Sequence, residues 1–384
     1  MTGLTNDEVK RYGRHLVLEE FGLKNQLRLK GSSVLVIGAG GLGSPVLLYL
    51  AAAGIGTLGV VDDDVVDLSN LQRQVLFTTK DIGKNKAEAA IQKLYSLNPL
   101  LQYVSYPFKI ISDNAMDIIR NYDVVIDGSD NFPTRYLVND CCVLLDKPLV
   151  YGSILKFEGQ LSVFNLKRSD GQYSCNYRDL FPDPPLPNSV PNCEQAGVIG
   201  ALAGIIGSMQ ANEAIKIICG TDQTLHDKLM ILDSTSMQQV IIQIKNHNAR
   251  NRIKNLIDYE DFCGVSHNKN KSLESKPMAM KEITVQELQK LQKSGADFQL
   301  IDVREPHEFD ICNLNGELIP QGEIPHSVDR ISRNKQVVIH CRSGARSGNM
   351  VQWLEKNHGF ENLYNLKGGI LAWAKEVDPS MPTY

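Results

Sequence analysis

Ser33-Val34-Leu35-Val36-Ile37-Gly38-Ala39-Gly40-Gly41-Leu42-Gly43 is the stretch on which the reading of this chain turns. Its first half is a short β-branched run that reads as a buried strand. Its second half fits G-x-G-x-x-G and opens a Leu- and Ala-rich helix expected over 43–53. Glycines at such a junction let the backbone turn tightly. They also let a phosphate approach the outward N–H groups at the start of the helix. Asp62 ends the next expected strand, 58–62, about twenty residues past the motif, where an acid can accept from a ribose hydroxyl. Taken alone, this pattern points to a dinucleotide site and an NAD-linked oxidoreductase.

Outward from the motif, the pattern repeats. Residues 1–30 read as helical, with Arg11, Arg14 and His15 on polar turns, 84–97 as an amphipathic helix ending before Pro99, and 123–127 and 149–151 as further strands. Strands alternating with helices imply an α/β fold: a Rossmann-like, mostly parallel sheet with helices on both faces. Phe181-Pro182-Asp183-Pro184-Pro185-Leu186-Pro187 cannot be a regular helix or a central strand and reads as a crossover loop. Residues 246–281 are rich in Asn, Lys and Ser and read as a linker. A second, smaller α/β pattern follows, with strands at 300–303 and 337–340 and a helix over 347–356. The expected division is therefore 1–245, a linker over 246–281, and 282–384.

Composition narrows the function classes. With 384 residues, 42% hydrophobic and 22% charged, the chain is too long for one core and suits a globular protein of two or three domains. The formal net charge of -4 argues against a nucleic-acid partner. The most apolar stretch, 198–219, carries Gln210, Asn212, Glu213 and Lys216, so it is expected to pack in a core or a dimer interface and not to span a membrane. The polar start of the chain lacks the basic-then-apolar order of a secretory signal, and the eight cysteines are unevenly spaced. Both features suit reduced thiols in a cytoplasm.

The residues beyond the glycine loop change the nucleotide reading. Ser69-Asn70-Leu71-Gln72-Arg73-Gln74 follows Asp62 in a loop, Lys86 opens the next helix, and Asp127 and Asp130-Asn131 lie at the end of strand 123–127. Strand ends on one edge of such a sheet converge on the ligand crevice. Two cations and an acid are therefore expected around a phosphate chain, an arrangement that hydride transfer does not need. Nucleotidyl transfer does need it: Arg and Lys neutralise developing charge, and a carboxylate can hold Mg²⁺.

These stretches, with Asn192-Cys193-Glu194-Gln195-Ala196-Gly197-Val198, resemble the MoeB/ThiF/HesA adenylyltransferases, relatives of ubiquitin-activating enzymes, over about residues 5–265. The resemblance implies an ATP site formed by Gly38, Gly40, Gly41, Gly43, Asp62, Asn70, Arg73, Lys86, Asp130 and Asn131. It implies a homodimer in which Arg14 reaches the phosphates of the other subunit. It also implies attack of a C-terminal glycine carboxylate on the α-phosphate, with release of pyrophosphate. Many relatives hold a structural zinc with two Cys-x-x-Cys pairs. Here only Cys175 and Cys263 stand near those positions, too few for four thiolates, so no zinc is expected. Cys193 follows the Pro-rich loop and precedes the apolar helix. It reads either as a small core residue or, by the family position, as a crossover cysteine able to link to the carrier or to sulfur.

The second pattern carries its own chemistry. Val337-Val338-Ile339-His340 leads into Cys341-Arg342-Ser343-Gly344-Ala345-Arg346-Ser347 and a helix. A cysteine there faces converging N–H groups and the positive end of the helix, and Arg342 and Arg346 are expected to add charge that favours a thiolate or persulfide. The rival is a Cys-x5-Arg phosphate loop, but Arg346 comes one residue too early and Ser347 occupies the arginine position. Residues 282–384 resemble a single rhodanese domain, through Leu300 to Phe309, Cys341 to Ser347 and Leu366-Lys367-Gly368-Gly369-Ile370-Leu371-Ala372-Trp373. By that resemblance Cys341 carries the sulfur, and Asp302 and Arg304 are structural. The family's H-I-P-G-A wall is altered here to Leu314-Asn315-Gly316-Glu317-Leu318-Ile319-Pro320.

The combined expectation is an ATP- and Mg²⁺-dependent enzyme that adenylates a ubiquitin-like sulfur-carrier protein ending in Gly-Gly. A persulfide or thiosulfate donor would charge Cys341, which then makes a thiocarboxylate on the carrier. A MoaD-like carrier of molybdopterin synthesis and a ThiS-like carrier of thiamin thiazole synthesis both fit. A noncatalytic scaffold would not need the ATP and thiol residues.

Overall fold

The computed structural model describes residues 3–185, 197–264 and 280–383. The chain divides into two compact units, residues 1–269 and 270–384.

In the first unit, the 1–30 region forms three short helices, α1 (Asn6–Arg11), α2 (Gly13–Leu16) and α3 (Gly22–Lys30). Thr5 and Glu8 start α1 by a reciprocal capping box, which satisfies two backbone donors the helix cannot. The deciding stretch folds as β1 (Ser33–Ile37) and α4 (Gly43–Ala53), the latter ended by Gly54 at φ 88°. Then come β2 (Thr57–Val61), α5 (Lys86–Leu97), β3 (Gln102–Tyr106), α6 (Ser112–Ile119), β4 (Val124–Asp127), α7 (Phe132–Leu144) and β5 (Leu149–Leu155). After β6 (Glu158–Phe164), α8 (Tyr177–Leu180) and α9 (Gly200–Cys219), β7 (Lys228–Asp233) and β8 (Gln238–Gln243) complete the sheet, and α10 (Tyr259–Phe262) follows.

The eight strands lie in the order β3-β2-β1-β4-β5-β6-β7-β8. Every pair from β3 to β5 is parallel, and every pair from β5 to β8 is antiparallel. Alternate residues of β1 feed two cores: Val34 and Val36 pack with α4, α5 and α9, while Leu35 and Ile37 pack with α6 and α7. A strand covered on both faces therefore reads as one unbroken apolar run. Its register, Val36 opposite both Val60 and Ile126, brings the C-terminal ends of β1, β2 and β4 to one edge of the sheet. Strands β3 and β6 to β8 were not read from the sequence. The β5–β6 hairpin turns through Lys156 at φ 54°, without the glycine that announces such a turn.

Helix α9 is the apolar stretch of the sequence, and two of its polar residues, Gln210 and Glu213, are buried in the fold. Gln210 Nε2 donates to Asp127 O at 2.7 Å, and Glu213 accepts from Leu225 N at 2.9 Å. No described helix is long and apolar enough to cross a membrane.

Composition placed the start of the linker at residue 246, yet residues 246–264 fold onto the first unit. Asp179 accepts from the N–H groups of His247 and Ala249, and the Tyr259 hydroxyl donates to Asp140 at 2.8 Å. Two buried carboxylates far back in the sequence thus take up the polar groups of a segment whose composition suggested a solvated chain.

The second unit holds β9 (Glu282–Ile283), α11 (Val285–Ser294), β10 (Phe298–Asp302), α12 (Pro306–Ile311), β11 (Glu317–Leu318), β12 (Gln336–His340), α13 (Ala345–His358), β13 (Leu363–Leu366) and α14 (Gly369–Glu376). Its sheet has the order β11-β10-β12-β13-β9, and all its pairs are parallel. Ile339 and Cys341 face one core, Val338 the other.

Candidate active sites

At the parallel edge of the large sheet a cavity of about 490 Å³ opens over the glycine loop. Gly38, Gly40 and Gly41 line it, with Asp62, Asn70, Arg73, Lys86, Asp130 and Asn131. The glycines differ in purpose. A Cβ at Gly43 would lie 1.9 Å from Gly38 O, so Gly43 seats the helix on the loop and does not line the cavity. A Cβ at Gly40 would meet nothing nearer than Gln74 Nε2 at 3.7 Å. Packing within the chain therefore does not require Gly40; a bare backbone there suits close approach by a ligand.

The polar groups are pre-arranged by short local bonds. Asp62 Oδ2 accepts from Ala39 N at 2.7 Å, tying the acid to the glycine loop. Burial pushes its carboxyl above the usual range, opposed by the charge of Lys86. The Lys86 ammonium is buried but meets the exposed Asp64 carboxylate at 3.0 Å. Arg73 Nη1 donates to Ser69 O at 3.2 Å, and Arg73 lines the cavity. Asn131 Oδ1 caps α7 by accepting from Thr134 N at 3.0 Å, and Asn70 Oδ1 accepts from Asp67 N. Asp130 is exposed at the rim.

Arg135 lines the cavity although no local motif announces it, and its charge lies near an acid behind the wall. Asp127 is fully buried beneath the loop, accepts from Ser129 N and Oγ, and lies 4.0 Å from Arg135 Nε. Desolvation raises its carboxyl above the usual range. Gln74 Oε1 is buried in the wall and has no hydrogen-bond partner among the described residues. An orphaned acceptor in a cavity of cations and bare backbone fits a ligand that brings both donors and negative charge, as a nucleotide does. The spacing that would have flagged Arg135 exists only once α7 is folded on β4.

Arg14, on α2, is exposed and is not among the residues lining this cavity. Cys193 lies outside the described residues.

Cys175 and Cys263 are both buried among aromatic residues of the α6–α7 core. Burial pushes the Cys263 thiol up to about 11 and raises that of Cys175 as well. Cys175 Sγ points at Ile244 O, 3.7 Å away. Among the described residues no group of three or more His, Cys, Asp or Glu could hold a metal. The same region is knit by Arg178, which forks onto Asp140 at 2.8 and 2.7 Å, and by Asn176, which caps α8 against Asp179.

In the second unit, Cys341 sits between β12 and α13. Its Sγ accepts from Gly344 N at 3.2 Å and lies 3.4 Å from Ser347 Oγ. Gly368 and Gly369 press the next loop onto this one: Ile370 N donates to Cys341 O and Leu371 N to Arg342 O. A Cβ at Gly369 would stand 2.5 Å from Cys341 O. Arg304 is fully buried and binds both oxygens of Asp302, Glu308 O and Cys312 O, fixing α12 to β10. One expectation is corrected. Arg346 does not offer its charge to the sulfur alone, because it is locked to Glu308 by two 2.6 Å bonds.

With both sites in view, the comparison with known proteins is decisive. The ThiF family matches residues 12–254, and the rhodanese-like domain matches residues 284–376. The chain belongs to the ThiF family. It is 44% identical, over 100% of its length and 97% of the relative's, to the probable adenylyltransferase/sulfurtransferase MoeZ of Mycobacterium tuberculosis (strain H37Rv). It is 42% identical to the adenylyltransferase and sulfurtransferase MOCS3 of Drosophila virilis, over 99% of this chain and 86% of that one. Among solved structures, PaaA superposes with a TM-score of 0.54 at 24% identity, covering 64% of this chain and 76% of that one. Escherichia coli MccB, crystallised with ATP, gives 0.52 at 20%, covering 62% and 72%. These two structures support the fold of the first unit. This ThiF-family chain is thus an enzyme of the adenylyltransferase and sulfurtransferase kind, and the NAD-linked reading of the glycine motif falls away.

Proposed function

We propose that the first unit uses ATP and Mg²⁺ to adenylate the C-terminal glycine of a ubiquitin-like sulfur-carrier protein, MoaD-like or ThiS-like, and that Cys341 supplies the sulfur for its thiocarboxylate. The observation that carries the reading is the convergence of Arg73, Lys86 and Asp130 on one cavity over the glycine loop. A carboxylate is a weak nucleophile and pyrophosphate a charged leaving group, so the enzyme contributes position and charge neutralisation. Arg73 and Lys86 would neutralise the phosphates. Asp62 would accept from the ribose, and Gln74 Oε1 would take a donor from the nucleotide. Asp130 would hold Mg²⁺, which would supply further charge neutralisation to the phosphates, and Arg14 would complete the site from the second subunit of a homodimer.

The carrier carboxylate attacks the α-phosphorus, and pyrophosphate leaves. The outer sulfur of a Cys341 persulfide, charged by a persulfide or thiosulfate donor, then attacks the acyl carbon and AMP leaves. A thiol must finally cleave the resulting acyl disulfide to release the thiocarboxylate, a role open to Cys193 or to a small thiol. Fusion of the two units raises the local concentration of the persulfide near a water-sensitive intermediate, to roughly millimolar for flexible tethers. The test is mass spectrometry of MoaD-like and ThiS-like carriers incubated with enzyme, ATP and thiosulfate. The product gains about sixteen daltons on exchange of oxygen for sulfur. Cys341→Ala keeps carrier-dependent pyrophosphate exchange and loses that product. Thiocarboxylate formed by Cys341→Ala at the wild-type rate overturns the assignment.

A further inference from the structure

The buried hydroxyl of Ser347 has more acceptors than protons. Its Oγ lies 2.7 Å from Asn365 Oδ1, 3.2 Å from Gly344 O and 3.4 Å from Cys341 Sγ. A serine donates once. The short contact to Asn365 is a full-strength O–H···O bond, and the contact to sulfur is the long one. Ser347, Asn365 and Cys341 are all nearly inaccessible to solvent. Water therefore does not stand ready to replace a missing donor.

We infer that Asn365, on β13, is a positioning residue for Cys341: it holds the Ser347 hydroxyl beneath the sulfur and sets where its single proton points. While the sulfur is a neutral thiol, the proton rests on Asn365 Oδ1 and a Ser347 lone pair faces the S–H. When the sulfur carries negative charge, the proton turns to Sγ. The Asn365 side-chain amide then rotates to present its N–H₂ to the Ser347 oxygen, which an amide can do and a carboxylate cannot. Gly344 N and Ser347 Oγ–H would together face the anion, and bonds to an ionised acceptor are the strong ones. The only bond that breaks is the cysteine S–H: its electron pair stays on sulfur, and its proton passes to the sulfur donor or to buffer base. The inference rests on the reading of Cys341 as the sulfur-carrying residue.

Full-length enzyme is titrated with iodoacetamide across pH, and Cys341 alkylation is followed by peptide mass spectrometry. Ser347→Ala raises the pH midpoint of alkylation, and Ser347→Thr restores it. Asn365→Asp, an acceptor-only replacement, raises it by holding the hydroxyl proton permanently. Asn365→Leu raises it in the wild-type background and adds nothing in Ser347→Ala, because it acts through Ser347. Equal midpoints in wild type and the Asn365 variants overturn the inference, as do additive shifts in the double variant. Thermal midpoints read by tryptophan fluorescence identify any variant that has not folded, and the Asn365→Asp and Ser347→Thr results then decide. If Cys341→Ala itself retains wild-type sulfur transfer, the failure lies with the sulfur-carrier reading, whatever the alkylation midpoints show.

Discussion

Arg346 and Glu308 face each other fork to fork, Nη1 to Oε2 and Nη2 to Oε1, both at 2.6 Å, and bring the start of α13 against α12. The two residues lie 38 positions apart and both are largely buried. The pair joins the sulfur loop to the helix that Arg304 fixes to β10.

Arg346→Ala leaves the Glu308 carboxylate buried without its fork and should destabilise the second unit by about 2 kcal/mol, below the full cost of breaking a wholly buried pair because the arginine is partly solvated. Both tryptophans, Trp353 and Trp373, belong to this unit. Their fluorescence on thermal unfolding reads the loss directly. The double variant Arg346→Ala/Glu308→Ala should be more stable than the sum of the singles; strict additivity would show that the pair does not couple.

Arg73→Ala and Asp130→Ala should each lower carrier-dependent pyrophosphate exchange by about 10²-fold or more, the scale for removing one charge-stabilising group from an active site. Asp64→Asn, which releases Lys86 from its exposed partner, should leave exchange within a few-fold of wild type. Wild-type exchange in either of the first two variants would remove that residue from the site.

Arg14 is exposed on α2 and does not line the cavity of its own chain. Mixing inactive Arg14→Ala with inactive Asp130→Ala should restore part of the exchange activity, since a hybrid dimer holds one intact composite site. No recovery after demonstrated subunit exchange would mean that each chain works alone.

His340 is fully buried, 3.7 Å from Asp302, and burial pushes its imidazole down from 6.5 to about 4 despite that acid. The folded state therefore binds its proton less readily than the unfolded chain does. The stabilisation is complete above about pH 6.5 and is lost as pH falls toward 4, by about 3 kcal/mol in all. Tryptophan-detected urea midpoints should fall over this interval in wild type and flatten in His340→Leu. Equal slopes in the two proteins would assign the pH dependence to other groups.

The two loops that carry the chemistry were legible because they are local. Gly38 to Gly43 and Cys341 to Ser347 each join a strand to a helix within a few residues, so spacing alone puts backbone N–H groups, glycines and charges where a phosphate or a sulfur would be met. The apolar strands of the parallel half were legible for the same reason: burial on both faces leaves an unbroken β-branched run. What escaped the sequence depends on partners far along the chain. Strands β6 to β8 join the sheet through a turn at Lys156 that has no glycine signal. Residues 246–264 look like a spacer until Asp140 and Asp179 accept their polar groups. The charge of Arg346 looked available to sulfur until Glu308 met it. Asn365 gained a place beside Cys341 only when β13 paired with β12. Covalent neighbours and their periodicity fix which backbone groups a loop can present. Which side chains then neutralise, cap or orient those groups is set by contacts that only the packed sheet brings within hydrogen-bond distance.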